Sequence, residues 1–455
     1  MAQPTVSPHS ETIWNEIEVA DHETIRKIQA ERLTAQTSYL AANSEFYRRK
    51  SADSGVDLAS IDSVEALRDF PFTEKQELRD SLTASPPLGL HQTAPWDGIV
   101  QVQASSGTTG SPSYVGLTTD DVQLWNELGA RALYANGFRP GDLMLHAFGM
   151  SKGFVGGIPV SNIAKYMGLV DLPIGAEAGV ERLLRVAKDF RPQTVIGTPY
   201  FLIYLAEKAP EIIGVEAKDL GVRSLSIGGE PGGGLPNVRG SLESLWGATS
   251  REMLGGTDLG VTFWGECAEG KGMHNLFSDL ILTELIDPDT GDAVPIVEGA
   301  SGELVYTALT RQASPLLRFR TRDHVVVTGT DCACGRTGYT VVCVGRTDDM
   351  LIVRGINVFP SAVKELVSDL MPRTSGELRI IADFEGHSTQ ENLKIQVEVA
   401  DSVPADEHEQ LAAELHDKIR SALNFTPKIT LVPEYTFPRP DHVKVQLVQR
   451  TEGQS

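Results

Sequence analysis

The stretch GRTDDMLIVRGINVFPSAVKE, residues 345–365, marks the place where this chain of 455 residues changes its structural pattern. Before it, from about residue 97 to residue 310, apolar β-rich runs alternate with helical stretches, which is typical of βαβ units and a largely parallel sheet. After it, the order helix–strand–strand–helix–strand predicts a small α+β module. We therefore predict an α/β fold with mixed or parallel sheets and a separate C-terminal domain, whose boundary falls within residues 345–355.

The Gly-rich turns of the body are the places where a ligand site is expected. Ligands of open α/β sheets gather at the carboxyl ends of the strands, and such turns follow several of the apolar runs. Helices are expected over most of residues 10–48 and after Thr73, which has Gln76 at the spacing of a capping box. The runs assigned to strands are GIVQVQA, DLMLHAF, LVDLPI, TVIGTP, SLSIGG, LILTELI and GELVYTAL.

Composition excludes two classes of partner. Asp and Glu number 61 against 40 Lys and Arg, a net charge of −21. Nucleic-acid polymers and anionic membrane surfaces both attract basic proteins, so neither is expected to bind. The N-terminus lacks a basic and apolar leader, and no run of 18 apolar residues occurs, so we predict a cytoplasmic protein. Four cysteines are too few for a disulfide scaffold and favour a reducing compartment.

A loop dense in Gly, Ser and Thr follows the predicted strand at 99–103. Such a loop offers converging N–H and hydroxyl groups without bulk, which is what a polyphosphate needs; the alternative is a surface turn. It is not a Walker A loop, because Ser111 and Pro112 follow it instead of Lys and Ser or Thr. Its residues are Ser105, Ser106, Gly107, Thr108, Thr109 and Gly110.

Four further motifs carry candidate ligand groups. The backbone of Gly228 and Gly229 could form a flat wall for an adenine ring, and the alternative is a plain loop. Thr257 and Asp258, in LGGTDLG, could hold Mg²⁺ and a phosphoryl oxygen, or form an Asx turn. RFRTRD at 318–323 and the start of the 345–365 stretch each pair Arg with Asp. These pairs suit phosphate and ribose hydroxyls, or are ordinary surface ion pairs.

Together and in this order, the motifs resemble the adenylate-forming superfamily of acyl-CoA synthetases, in its phenylacetate–CoA ligase-like branch. The resemblance runs from FTEKQELRD at 72–80 to the C-terminal module. It implies ATP-dependent activation of an aromatic carboxylic acid to an acyl-adenylate, then transfer to coenzyme A, giving aryl-CoA, AMP and pyrophosphate. It further implies ATP, Mg²⁺ and coenzyme A as ligands, an ATP- and acid-binding domain over residues 1–347, and a mobile lid over residues 348–455.

The resemblance also assigns roles to single residues. The loop Ser105–Gly110 binds phosphates, Thr257 contacts the adenylate, and Asp258 stands where the family usually has a Mg²⁺-binding Glu. Other assigned residues are Gly229, Glu230 and Pro231 beside adenine, Asp323 on the ribose, Arg346 by ribose and phosphate, and Asp348 as the hinge. The strand end HAFGMSKG should line the acid pocket through His146, Phe148 and Lys152, with Phe148 stacking on an aryl ring. A solvent-facing Lys152 is the alternative.

Two lysines of the family pattern are displaced in this chain. Ser111 stands where a Lys usually follows the phosphate loop. An ungapped match of FPRPDHVKVQ at 437–446 puts Val443 at the catalytic lysine position, and a shift of one residue puts Lys444 there. We predict Lys444 as the catalytic lysine, with Lys75 as a compensating charge. The alternatives are transfer to an amine or a carrier-protein thiol, and a nucleotide-binding protein that has lost catalysis.

Three of the four cysteines form a candidate zinc site. Cys267, His274, Cys332 and Cys334 would make a structural Cys₃His set. In the alternative, Cys267 is a small core residue and the C-x-C pair is an exposed turn. Cys343 is predicted to be an apolar strand residue. The oligomeric state stays open, with a homodimer as one alternative.

Overall fold

The computed structural model describes residues 8–104, 113–151, 153–230, 233–384, 386–437 and 447–450. The predicted phosphate loop Ser105–Gly110, together with Lys152, Pro231 and Lys444, lies outside the described residues.

The N-terminal helices pack against the outer strands of the body. The first begins at His22, where the Asp21 carboxylate accepts a hydrogen bond from the Thr24 N–H. The prediction of a helix is therefore wrong for residues 10–21. A 3₁₀ turn lies at Glu16–Val19 instead. Leu33 and Leu40 on the buried face of the first helix reach an apolar cluster under the sheet. The helices are α1 (His22–Asn43), α2 (Glu45–Ser54), α3 (Val64–Leu67) and α4 (Lys75–Ala84).

The capping box predicted at Thr73 is wrong by one residue. Glu74 is the N-cap of α4 and forms the box with Glu77. Thr73 is instead an extended residue that exchanges backbone hydrogen bonds with Arg318 and Arg320. Because its backbone is hydrogen-bonded in this way, Thr73 is not available as the N-cap of α4.

In the part of the chain that the structure describes, one sheet of eleven strands forms the body. Its first five strands run parallel and alternate with helices, as predicted. The first predicted strand, GIVQVQA, is not part of it and forms a separate two-stranded ribbon. The ribbon is β1 (Gln101–Ala104) and β2 (Tyr114–Leu117). The parallel half contains α5 (Thr119–Ala135), β3 (Leu143–His146), α6 (Ile158–Met167), β4 (Val170–Leu172), α7 (Val180–Phe190), β5 (Thr194–Gly197), α8 (Pro199–Ile213), β6 (Ser224–Ile227), α9 (Pro236–Trp246) and β7 (Thr249–Gly256).

From β7 onward the strands pair antiparallel, so the largely parallel expectation fails for this half. Among the described residues no helix lies between these strands, and parallel neighbours need a crossover connection that is usually a helix. The strands are β8 (Gly260–Glu266), β9 (Met273–Asn275), β10 (Ile281–Ile286), β11 (Ser301–Ala308), β12 (Phe319–Gly329) and β13 (Thr340–Arg346).

The C-terminal lobe confirms the predicted α+β order. The chain leaves the large sheet at Arg346 and enters a small sheet at Leu351. The lobe has an apolar core of its own, to which Val363, Ile395 and Leu415 contribute fully buried side chains. Its elements are β14 (Leu351–Val353), β15 (Ile356–Val358), α10 (Pro360–Ser368), β16 (Thr374–Ala382), β17 (Ser388–Thr389), β18 (Leu393–Val399), α11 (His408–Leu423), β19 (Pro427–Pro433) and β20 (Val448–Arg450).

Among the described residues, no helix combines the length and the apolar character that crossing a lipid bilayer requires.

Candidate active site

The predicted adenine turn follows β6 at the carboxyl edge of the parallel strands. Gly228 lies so close to β7 that a Cβ there would be 2.6 Å from the carbonyl oxygen of Met253, so no larger residue fits. Gly229 has a φ of +85°, which glycine adopts without strain. The Glu230 carboxylate accepts a hydrogen bond from the Tyr200 N–H at 3.2 Å, and burial raises its pKa. The turn is thus held between β7 and the start of α8.

Two carboxylates are buried together beneath this turn. Glu252, in the middle of β7, lies beside Gly233 and Gly234, and its N–H donates to Glu266 at 3.1 Å. Arg239 on α9 binds both oxygens of Glu266, at 2.9 and 2.7 Å. Burial and then the Glu266 charge raise the pKa of Glu252 to about 7. Arg239 therefore compensates one of the two acids, and the other holds a proton near neutral pH.

Replacing Glu252 by glutamine should stabilise the fold at alkaline pH. The folded-state pKa of Glu252 lies above its ordinary value of 4.5, so wild-type stability falls as pH rises from 4.5 through about 7. Glu252→Gln removes this loss, which amounts to at most about 3 kcal/mol at pH 8. Thermal unfolding at pH 5, 6, 7 and 8 tests this: the stability of the variant relative to wild type should increase with pH. A difference independent of pH would contradict the shared burial of the two acids.

The Thr257–Asp258 turn, between β7 and β8, receives two cations from distant parts of the chain. The Lys75 ammonium donates to both carboxylate oxygens of Asp258, at 2.7 Å each. The buried Arg311 guanidinium donates to the main-chain oxygen of Asp258 and packs near the Trp125 ring. Asp258 is therefore held in position by its backbone, and its carboxylate already binds a cation.

Lys75 reaches this turn because the segment before α4 is attached to β12. The Thr73 hydroxyl donates to the Leu317 carbonyl at 2.7 Å, and Glu74 accepts a hydrogen bond from Arg322 at 2.5 Å. The motifs FTEK and RFRTRD, separated by about 245 residues in sequence, thus form one structural unit. The arginines of the second motif are bound to acids of the body: Arg318 to Glu284, Arg320 to Glu303 and Arg322 to Glu74.

Asp323 and Arg346 lie opposite each other on β12 and β13, as the two Arg–Asp motifs suggested. An Arg346 Nη1 atom is 3.3 Å from Asp323. The same guanidinium binds both oxygens of the exposed Asp348, at 2.9 and 2.7 Å. Asp348 therefore lies on the segment that joins the large sheet to the C-terminal lobe, and it is tied to the last residue of that sheet.

The predicted acid pocket adjoins the adenine turn. The Phe148 ring is 4% exposed, and its Cε1 atom lies 3.5 Å from the position that a Cβ on Gly229 would take. Phe148 contacts the rings of His146 and Phe154 edge-on. His146 has no exposed surface; its Nε2 atom lies 2.6 Å from the Gly156 carbonyl oxygen, and Nδ1 lies 3.7 Å from Asp171. His146 thus packs behind Phe148 and supports the wall of the pocket.

Glu177 holds the loop that continues this wall, and no motif in the sequence pointed to it. Its carboxylate accepts hydrogen bonds from the N–H groups of Met150 and Ser151, at 2.9 Å each, and from the Ser151 hydroxyl at 2.6 Å. Burial opposes ionisation, but these donors prevail and lower the pKa of Glu177 to about 2. The loop is therefore anchored by a full negative charge over the physiological pH range.

The four predicted zinc ligands meet in space. Their ligand atoms all lie within 4.8 Å of one another. Cys267 Sγ is 3.8 Å from Cys332 Sγ and 3.3 Å from His274 Nε2, and Cys334 Sγ is 3.5 Å from the same nitrogen. A tetrahedral zinc ion with bonds of about 2.3 Å to sulfur and about 2.0 Å to nitrogen places its ligands roughly 3.5–3.8 Å apart. The three distances given above are close to this range, so the four residues are suitably placed to hold such an ion.

The surroundings of the cluster match what zinc ligands require. His274 Nδ1 lies 3.0 Å from the Gly338 carbonyl, so it donates there and leaves the Nε2 lone pair facing the sulfurs. The hydrogen bond between Cys267 and Cys334 lowers the pKa of Cys334 and raises that of Cys267, so Cys334 is the thiolate of this pair, and a thiolate is the metal-binding form. Cys343 is in β13, outside the cluster.

The cluster loop also fixes the N-terminal segment. Arg336, two residues after Cys334, binds the Glu18 carboxylate at 2.7 Å, and both side chains are buried. Arg336 donates a second hydrogen bond to the Thr12 carbonyl. Residues 12–18 therefore depend on the conformation of the cysteine loop.

The comparisons with known proteins cover nearly the whole chain. It is 34% identical over 448 residues to the phenylacetate-coenzyme A ligase of Thermus thermophilus, a match covering 95% of this chain and 98% of the relative. This chain belongs to the phenylacetate–CoA ligase family. The ligase is thus an AMP-forming acid–thiol ligase that acts through an acyl-adenylate, and the predicted membership of the adenylate-forming superfamily is confirmed. The family model of the AMP-binding enzyme C-terminal domain matches residues 355–450.

Solved structures confirm the fold and identify the arrangement of the two lobes. A structure of 2-hydroxyisobutyryl-CoA ligase in the postadenylation state matches with a TM-score of 0.89 at 27% identity, over 99% of this ligase and 94% of that chain. The same enzyme in the thioesterification state matches with a TM-score of 0.71 at 29% identity, over 97% and 92%. The lobes of this ligase therefore resemble the postadenylation arrangement more closely.

Proposed function

We propose that this ligase activates an aromatic carboxylic acid and transfers it to coenzyme A, releasing AMP and pyrophosphate. The observation that carries the proposal is the contact between the two predicted pockets: the Phe148 ring lies against Gly229 of the adenine turn. A carboxylate whose aryl ring packs on Phe148 would therefore reach the nucleotide bound at that turn. The Thermus thermophilus relative is a phenylacetate-coenzyme A ligase, and phenylacetate is an acid with an aryl ring of this kind.

The residues around these pockets would divide the work as follows. Gly229 and Glu230 flank the adenine, and Asp323 accepts hydrogen bonds from the ribose hydroxyls while Arg346 holds Asp323 and the nearby phosphate. Asp323 and Arg346 suit this because their side chains already meet on adjacent strands. The loop Ser105–Gly110 and Pro231 are assigned to phosphate and adenine by their motifs, and Lys152 to the acid. Asp348 would be the hinge about which residues 348–455 move.

Thr257 and Asp258 would hold Mg²⁺ together with phosphate oxygens. A carboxylate and a hydroxyl on one turn are suitable hard ligands for this ion. Bound Mg²⁺ would offset the negative charge of the phosphates during transfer. Because Lys75 binds both oxygens of Asp258, the ammonium and the metal compete for the same carboxylate.

Replacing Lys75 by methionine should separate two effects of its ammonium: competition with Mg²⁺ for Asp258, and its positive charge near the phosphates. Without the competing ammonium, the Mg²⁺ concentration giving half-maximal activity should fall, while acyl-adenylate formation slows about tenfold because a cation near the phosphates is lost. Titrating Mg²⁺ at saturating ATP measures both effects. Lys50→Met is the matched control, since Lys50 binds Glu77 on the same segment of the chain. An unchanged Mg²⁺ dependence would contradict competition at Asp258.

The Cys₃His cluster would hold a structural zinc ion. Four protein ligands complete a tetrahedron and leave no position for a reactive water, so the ion would stabilise the loop at Cys332–Cys334 and take no part in the reaction.

The proposed function is tested by pyrophosphate release over a panel of aryl and aliphatic acids, with and without coenzyme A. We expect release with ATP, Mg²⁺ and an aryl acid, and thioester only when coenzyme A is present. Release with aliphatic acids alone would refute the aromatic assignment. Pyrophosphate and AMP without thioester would show that an amine or a carrier thiol is the acceptor, and no release with any acid would refute adenylation.

A further inference from the structure

A buried lysine joins the two lobes at the nucleotide edge of the sheet. Lys364 on α10 of the C-terminal lobe is only 4% exposed. Its ammonium lies 3.1 Å from the Glu377 carboxylate of its own lobe and 3.8 Å from the centre of the Tyr200 ring, which belongs to the body. A buried ammonium is costly unless it is paired, so its partners determine where it is stable.

Glu230 and Tyr200, on the body side of the contact, depend more on Lys364 than Glu377 of its own lobe does. In its own lobe, Glu377 has a second cation, because Arg379 lies 3.8 Å from its other oxygen. On the body side, the half-buried Glu230 lies beside Tyr200, and the Lys364 charge acts against the rise in the pKa of Glu230 that desolvation causes. The ammonium also faces the Tyr200 ring, a cation–π contact that strengthens when water is excluded.

The position of these partners connects lobe docking with the reaction. Tyr200 lies in the first turn of α8 directly after β5, and Glu230 directly follows β6, so both belong to the carboxyl edge of adjacent parallel strands. Glu230 is part of the turn proposed to hold adenine. The lobes are arranged as in the postadenylation state of the related ligase, with a TM-score of 0.89 against 0.71 for the thioesterification state.

We propose that Lys364 is a positioning residue that holds the C-terminal lobe on the adenine turn while the acyl-adenylate forms, and that it leaves Tyr200 and Glu230 before thioester formation. This inference rests on the proposed two-step reaction, because it assigns the contact to the first step. It explains why a cation of the small lobe is buried against the body: the contact is complete only when the lobe is docked.

The test compares the two half-reactions in Lys364→Met. We expect single-turnover formation of acyl-adenylate from phenylacetate to slow about 10- to 100-fold, because the lobe loses its contact with Tyr200 and the half-buried Glu230 loses its counter-charge. Thioester formation from preformed acyl-adenylate and coenzyme A should change less than about threefold, because the broken contact is absent from that step. The control is Lys418→Met, since Lys418 binds Asp369 within the C-terminal lobe at 2.7 Å and should leave both rates unchanged.

Amide hydrogen exchange provides a readout that does not need activity. Residues 360–368 should exchange faster in Lys364→Met than in wild type or Lys418→Met, because undocking exposes α10. Should Lys364→Met fail to fold, Lys364→Gln keeps a donor for Glu377 and allows the same comparison. Equal slowing of both half-reactions, or unchanged exchange of α10, would overturn the proposed role of Lys364 in docking the lobe. A wild-type enzyme that adenylates no acid would refute the proposed function, and the exchange data would still decide whether Lys364 docks the lobe.

Discussion

Replacing Lys444 by alanine is expected to reduce acyl-adenylate formation by about 100-fold or more. The step brings a carboxylate to a phosphate, two anions, and needs a cation that is not already neutralised. Among the described residues at this edge, Lys75 is paired with Asp258 and Arg346 with Asp323 and Asp348, while the buried Arg311 donates to the main chain at Asp258. In the sequence, the one-residue shift puts Lys444 at the family's lysine position. We therefore expect Lys444 to supply the unpaired charge.

Single-turnover measurement of pyrophosphate release tests this, with thioester formation from supplied acyl-adenylate as a second readout. The first rate should fall and the second should stay within about threefold, because the lysine acts on the phosphate during adenylation. Lys428→Ala, an exposed lysine on β19 of the same lobe, is the control. Wild-type adenylation by Lys444→Ala would show that the shifted alignment is wrong.

Removing the zinc ligands is expected to give the second large effect. In the double variant Cys332→Ser and Cys334→Ser, bound zinc should fall from about one per chain to none, and the free energy of unfolding should drop by about 3–5 kcal/mol. The cause is the number of segments that the cluster joins: the end of β8, β9 and the loop carrying Arg336, which binds Glu18.

Metal analysis of protein produced with added zinc, followed by denaturant unfolding, measures both quantities. Proteolysis adds a local readout, because residues 12–18 should become accessible when the loop loses its metal. Cys343→Ala is the control, since that thiol lies outside the cluster and should leave the metal content unchanged. Wild-type protein without zinc would refute the site, and a variant that loses zinc yet keeps its stability would refute the structural role.

Sequence reasoning succeeded where a property depends on neighbours in the chain. Strand–helix alternation predicted the parallel half of the sheet, and the C-terminal order predicted the small lobe. The cluster of Cys267 and His274 with the C-x-C pair could be proposed because few residue types bind zinc. The antiparallel half was missed because apolar periodicity identifies a strand and carries no information on its direction.

The ion pairs of the site could not be read from the sequence. Lys75 and Asp258 are 183 residues apart, and each stands in a motif that suggests a different role. Thr73 resembled a helix cap, and only the folded chain shows that its backbone pairs with β12. Glu177 and Lys364 are ordinary surface residue types, and tertiary packing alone gives them their buried or anchoring partners.

The attachment of the 72–75 segment to β12 also constrains how the enzyme is made. A ribosome releases Lys75 long before it has synthesised Leu317, whose carbonyl binds Thr73. The proposed metal-binding carboxylate therefore cannot acquire its lysine partner in the folded geometry until about 70% of the chain has been translated. A nascent chain that stalls before β12 would carry its nucleotide motifs without an assembled site, so it could neither bind ATP productively nor consume it.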